Sequence, residues 1–249
     1  MFDFDERLSD SPFVEKVWRT QSERASTFTS LANTQWEMVI TRYEGKTNLT
    51  VRGPETKATQ ADCPSDAEFF GIVFQLGTFM PHFPALDLLN RHDRTLPDAT
   101  SRSFWLHGSA WQYPNYENAD TFVDRLMREG QVRRDGVVDA VLQGCPPDLS
   151  IRSVRRRFLR ATGLTQGTIQ QIERARCALS LLQQGRSILD TVYEAGYFDQ
   201  PHLTRSLKHF VGLTPAQVAA MDGSENMSLS YNTEPVRQDM MALFDGAYQ

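Results

Sequence analysis

Two stretches of this chain, 150–165 and 199–214, carry one pattern forty-nine residues apart: SIRSVRRRFLRATGLT and DQPHLTRSLKHFVGLT. In register, the capping residues Ser150 and Asp199 coincide, and so do the apolar positions (Val154 with Leu203, Phe158 with Leu207, Ala161 with Phe210). Arg156 falls on Arg205, and Gly-Leu-Thr closes both copies. A capping side chain ahead of apolar residues at three-to-four spacing, with a glycine behind them, bounds a short helix at both ends. Repetition of that pattern requires two helical units of the same local structure.

Charge follows the repeat. The net charge of −5 looks wrong for a partner of nucleic acid until it is divided along the chain. Residues 1–130 hold 13 Lys+Arg against 19 Asp+Glu, whereas residues 148–220 hold 10 against 5. The last 29 residues, 221–249, hold one against five. Basic charge is therefore concentrated where the repeat lies, and the overall balance misleads. Hydrophobic content of 40% is enough to bury a core. No apolar run reaches the ~18–20 residues of a membrane span, so no membrane partner is expected. The start, MFDFDERLSD, is acidic and does not read as a secretory signal. Three widely spaced cysteines (Cys63, Cys145, Cys177) are the usage expected in a reducing cytosol.

The spacing predicts strands over 14–19, 36–43, 49–51, 69–76 and 103–106, separated by turn signals at Glu44-Gly45, Gly53-Pro54 and Cys63-Pro64-Ser65-Asp66. A helix is expected over 118–129, and the polar segment 131–136 is the expected boundary. Beyond it come helices over 137–142, 150–162, 166–184, 187–195, 199–211 and 215–221. The expected fold class is thus α+β. A β-rich barrel or sandwich occupies 1–130, an all-α domain with two helix-turn-helix units joined by a long helix occupies 131–221, and 222–249 is an acidic tail.

At 100° per residue, Arg156 points directly away from the apolar side of the first basic helix, flanked by Arg152, Ser153 and Arg160. In the second, Arg205 points away with Pro201, His202 and Lys208 beside it. An arginine at the centre of an exposed helix face can fork onto guanine O6 and N7, and residues at the helix start, such as Gln200 and His202, enter the groove most deeply. One arginine-rich face is usually just solvated surface. Two in register, joined by a helix spanning ~25–28 Å, point to successive major grooves of double-stranded DNA. Arg157, nearer the core edge, is expected to touch phosphate or to pair internally.

These residues carry a resemblance. The stretch 137–218, and above all SILDTVYEAGYFDQPHLTRSLKHFVGLTPAQ, resembles the paired helix-turn-helix domain of the AraC/XylS family of bacterial transcription regulators. The resemblance implies base or backbone contacts from Arg152, Arg155 and Arg156 in the first unit and from Gln200, Pro201, His202 and Arg205 in the second, and Thr204 is a further candidate contact on the same helix. Pro201 has only apolar contact with a thymine methyl to offer. One departure stands out: the first unit's positioning helix runs into Cys145-Pro146-Pro147, where family members carry alanine, leucine and a glycine turn.

The resemblance further implies a cupin-like amino-terminal domain that senses a small effector. Phe69, Phe70, Phe74, Phe104, Trp105 and Trp111 could line an apolar cavity, with Gln75 or His107 orienting a ligand. Equally, these aromatics could fill a core. Two alternatives stay open: this half only dimerises or recruits RNA polymerase, or it is a metal-dependent cupin enzyme. Against the last, His82, His92 and His107 form no His-x-His pair, and no nucleophile elbow, phosphate loop, GxGxxG or paired-cysteine site is present. No catalysis, metal or cofactor is expected.

Overall fold

The computed structural model describes residues 3–90, 93–145 and 147–221. The acidic tail, His92 and Pro146 lie outside the described residues.

Thirteen strands and seven helices follow in order along these residues. They are β1 (Asp3–Leu8), β2 (Val14–Ser22), β3 (Ser26–Ser30), β4 (Glu37–Tyr43), β5 (Lys46–Arg52), β6 (Thr59–Cys63), β7 (Ala67–Phe74), β8 (Thr78–Phe79), β9 (Arg94–Leu96), β10 (Asp98–Thr100), β11 (Ser103–Leu106), β12 (Ser109–Gln112), α1 (Ala119–Arg128), β13 (Arg133–Arg134), α2 (Gly136–Leu142), α3 (Ile151–Thr162), α4 (Gln166–Gln183), α5 (Ile188–Glu194), α6 (Gln200–Phe210) and α7 (Pro215–Ala219).

The amino-terminal half is a sandwich. Six antiparallel strands in the order β1-β2-β7-β4-β5-β9 form its main sheet, and β10-β11-β12 form a second. The main sheet does not close on itself, so the sandwich form of the expected architecture is the one adopted, and not the barrel. Alternation along the strands decides which side faces in. Met38 and Ile40 of β4, Leu49 and Val51 of β5, and Ile72 and Phe74 of β7 enter a core shared with Phe104, Trp111 and the inner face of α1. Trp36 stacks on Phe74 with ring centroids 3.8 Å apart, and its indole N–H donates to the carbonyl of Thr78.

The opposite face of the main sheet is built differently. Gly71 of β7 lies beneath the Trp18 indole, where an added Cβ would come within 2.1 Å of the ring. Only glycine lets that indole lie flat across the sheet. The two-stranded ribbon β3-β6 is a separate unit whose Phe28, Ala61 and Cys63 share a cavity with Trp18 and Phe69 of this face.

The helical half begins in earnest at α2. A short polar side chain caps each helix from α2 on: Asp135, Ser150, Thr165, Ser187, Asp199 and Thr214 each accept a backbone N–H of the first turn. Such a cap is worth ~1 kcal/mol, which is why the helix starts could be read locally. Gly163 stops α3 at φ 73°, with Ala85 packed against it, so a side chain there would be both strained and crowded. Helix α4 is the hub. Its Ile169, Ile172 and Ala175 pack with Phe158 and Ala161 of α3, while its Ala178, Leu179 and Leu182 pack with Leu203 and Leu207 of α6.

The two halves are joined by more than a linker. Leu31 completes the core around α6, and Ala32, Leu76 and Phe79 complete the core around α3. Strand β13, inside the segment expected as the boundary, pairs with β8.

Candidate nucleic-acid interface

The first basic helix, α3, is held on one side by Phe158, Ala161 and Thr162, all buried. Arg152, Arg155 and Arg156 are exposed on the other, and none has a carboxylate within ion-pair distance among the described residues. Ser153, half-buried, accepts a hydrogen bond from the Ser150 hydroxyl, so it belongs to the cap. Arg160 is exposed but leans back, its guanidinium 5.6 Å from the ring of Phe79. Arg157 pairs internally. It grips Asp135 through both Nε (3.1 Å) and a terminal nitrogen (2.7 Å), and the hydrogen bond holds the guanidinium above its ordinary pKa. Asp135 also caps α2, so one carboxylate ties the two helices of the first unit together.

The second basic helix, α6, buries Leu203, Leu207 and Phe210. Gln200, Pro201, Arg205 and Lys208 are exposed, and neither cation has a carboxylate partner among the described residues. His202 is half-buried, its ring edge-on to Tyr197 at 5.0 Å, while the Tyr197 hydroxyl meets Ser206 at 2.8 Å. Burial pushes the Tyr197 phenol up to about 12, which keeps it neutral. The Thr204 hydroxyl donates to the carbonyl of Gln200, one turn back, which leaves its methyl as the group free to face a ligand. Each unit is thus a capped positioning helix, a turn, and a capped basic helix with an unpaired cationic face. This geometry is suited to entering a major groove.

Comparison with known proteins decides the class. Residues 148–221 match the family described as a helix-turn-helix domain. The carboxy-terminal domain is a helix-turn-helix domain. No curated protein matches the chain in sequence. Two solved structures of ToxT from Vibrio cholerae show likeness at a TM-score of 0.35 each. One is 10% identical, covering 87% of this chain and 97% of that one. The other, bound to (E)-4-(8-methylnaphthalen-1-yl)but-3-enoic acid, is 9% identical, covering 91% and 99%.

The helix-turn-helix domain is anchored to the sandwich through α6 and α4. The carbonyls of Phe210 and His209, at the end of α6, accept from the backbone N–H of Ala32 and Ala58, each at 2.9 Å. Thr34 donates to Glu173 of α4 at 3.0 Å in buried surroundings.

The aromatic residues read from the sequence as a pocket do not gather in one place. Phe74, Phe104 and Trp111 lie in the sandwich core, at most 1% exposed. The bulk of three aromatic rings is what fills the space between the two sheets. Trp105, on the same strand as Phe104 but pointing the other way, is 46% exposed. Gln75 is half-buried, its backbone N–H bonded to the carbonyl of Phe13. His107 stacks on His82 with ring centroids 3.4 Å apart; desolvation, then the neighbouring ring, lower the pKa of His82. Of the set, Phe69 and Phe70 border a hollow of about 600 Å³ that they share with Phe4, Arg19, Arg42 and Tyr116. Among the described residues, no group of three or more His, Cys, Asp or Glu side chains could hold a metal ion.

A second cavity, of about 250 Å³, lies where sequence reading did not look. Trp18, Phe28 and Phe69 form apolar wall, Glu37 and Arg52 lie on the sheet, and Arg176 reaches in from α4 of the helix-turn-helix domain. Glu37 accepts from the Trp18 indole at 3.1 Å and faces Arg52 at 3.7 Å. Burial nevertheless raises its pKa, against the pull of Arg52. Lys16, Glu37 and Arg52 lie on β2, β4 and β5, strands that carry several other polar and charged residues, so nothing local marks these three as meeting.

Proposed function

We propose that this protein is a sequence-specific DNA-binding transcription regulator whose affinity for its site is controlled by a small effector held in the amino-terminal domain. The observation that carries the DNA half is the pair of capped helices mounted on one hub, α4, each with a central arginine (Arg156, Arg205) that is exposed and unpaired among the described residues. Phosphate contacts supply most of the affinity and base contacts choose the site. Arg152 and Arg155 are assigned to the backbone or bases of one half-site. Gln200, Pro201, His202, Thr204, Arg205 and Lys208 are assigned to the other. Arg160 and Ser153 stand at the edge of the first face. Helix α4, ~27 Å long at ~1.5 Å per residue, sets a separation compatible with successive grooves of one duplex.

The effector half is supported by the anchoring of α6 and α4 to residues 31–34 and 58 of the sandwich. A shift in that segment alters how the second helix is presented. The test is selection of bound duplexes from a random library by the full chain, followed by affinity measurement at rising salt. A selected site bound at least ~10³-fold more tightly than random duplex is expected. Equal affinity for both refutes sequence-specific reading.

A further inference from the structure

The cavity on the back of the main sheet holds polar groups that the protein does not satisfy. The hydroxyl of Thr20 and the amide oxygen of Asn33 are buried with no hydrogen-bond partner among the described residues, and both residues line it. Unmet buried groups of this kind are uncommon and call for a partner. Two in one cavity, under an apolar wall of Trp18, Phe28 and Phe69, mark a built binding site with an aromatic side and a polar end.

The charge of the lining selects the partner. Five carboxylates (Glu15, Glu37, Glu55, Asp62, Asp93) face three cations (Lys16, Arg52, Arg176). Lys16 already pairs with Glu6 at 3.1 Å and Arg52 with Glu37 and Asp93. An added cation gains; an added anion meets repulsion. Trp18, flat over Gly71, presents a ring whose face attracts positive charge. The volume of about 250 Å³ lies just under the usual range of ~300–1,000 Å³ for small-molecule sites, which limits the occupant to one or two rings.

We infer that this cavity binds a small protonated aromatic amine, ring against Trp18 and ammonium toward Glu37, and that its occupancy is transmitted to the second reading helix. The inference deepens the effector-controlled reading above and rests on it. The route is short. Asn33 and Glu55 line the cavity and pair with each other through their backbones at 2.9 and 3.1 Å. On the same two segments Ala32 and Ala58 hold the last carbonyls of α6, and Thr34 holds Glu173 of α4. A ligand that meets Asn33 therefore acts on the strap that positions α6.

The test uses the full chain and matched probes: tryptamine, phenethylamine and benzamidine against indole-3-acetate, phenylacetate and benzoate. Calorimetry gives Kd and thermal unfolding gives the shift in Tm. At least one amine is expected to bind tenfold or more tightly than its matched carboxylate and to raise Tm with dose. Glu37→Gln, which keeps shape and removes charge, is expected to weaken that amine at least tenfold, and Asp93→Asn to weaken it in the same direction should Glu37→Gln not fold. Failure of every amine to bind, or carboxylates binding as tightly, overturns the ligand class. The bound amine is also expected to change affinity for the selected duplex severalfold, and Thr34→Val to abolish that change while amine binding persists. An amine that binds with no effect on DNA affinity overturns the route through 31–34. DNA affinity without amine is measured separately, so the regulator reading stands or falls on its own.

Discussion

The two reading units share a pattern but are held in different ways. In the second, α5 and α6 meet across the short turn 195–199, and the ring of His202 is braced by Tyr197. In the first, α2 and α3 are separated by the longer segment 143–150, and an ion pair from Arg157 to Asp135 makes the tie that a tight turn makes in the other. Their faces differ too. Helix α3 offers Arg152, Arg155 and Arg156 as a dense cationic patch, whereas α6 mixes Gln200, His202, Arg205 and Lys208. Cationic density favours phosphate, and chemical variety favours base edges. On the function proposed above, the difference would put affinity chiefly in the first unit and choice of site chiefly in the second.

The sharpest way to break that comparison is to remove each unit's core. Phe158→Ala in α3 is expected to cost ~3–5 kcal/mol, and Leu207→Ala in α6 ~2–5 kcal/mol, both as cavity losses read by denaturant unfolding. A loss under 1 kcal/mol for either removes that helix from the shared hub. Next in size, Arg205→Ala is expected to cost ~1–3 kcal/mol on the selected site and to relax preference at one base pair, measured by anisotropy on a panel of single-base variants.

Asp135→Ala comes third. It removes both the α2 cap and the partner of Arg157, and a stability loss of ~0.5–2 kcal/mol is expected, with the Arg157→Ala, Asp135→Ala double mutant less than additive. Additive losses contradict a shared tie. Smaller still, Arg152→Ala and Arg155→Ala should each lower the slope of log K against log salt by ~0.9 with little change in sequence preference. The smallest effect concerns pH. Burial raises the pKa of Glu37 above its unfolded value, so its contribution is most favourable below the ordinary carboxylate range and is lost as pH rises through the raised value. Relative to Glu37→Gln, the native chain should lose stability over that rise.

What the sequence made legible was local. Ser150, Asp199 and Thr214 announce their helices because a cap acts within three residues, and Gly163 announces its stop by its own backbone. The strand over 103–106 is equally plain from SFWL. Strands β3 and β6, reading STFTS and TQADC, carry no apolar alternation, and only their pairing across thirty residues makes them strands. The cavity escaped for the same reason. Trp18, Arg52 and Arg176 come from three distant places, and no local pattern joins them. Aromatic content alone pointed to Phe74, Phe104 and Trp111, which the sandwich needs for its core.

The most direct measurement is the base-preference profile of the full chain compared with those of Arg156→Ala and Arg205→Ala on the selected duplex. Two helices reading neighbouring grooves predict that each variant relaxes preference at its own base pair, the two positions lying about one helical turn, ~10 base pairs, apart. Loss of affinity spread evenly over specific and random duplex for both variants, or relaxation at one common position, contradicts it.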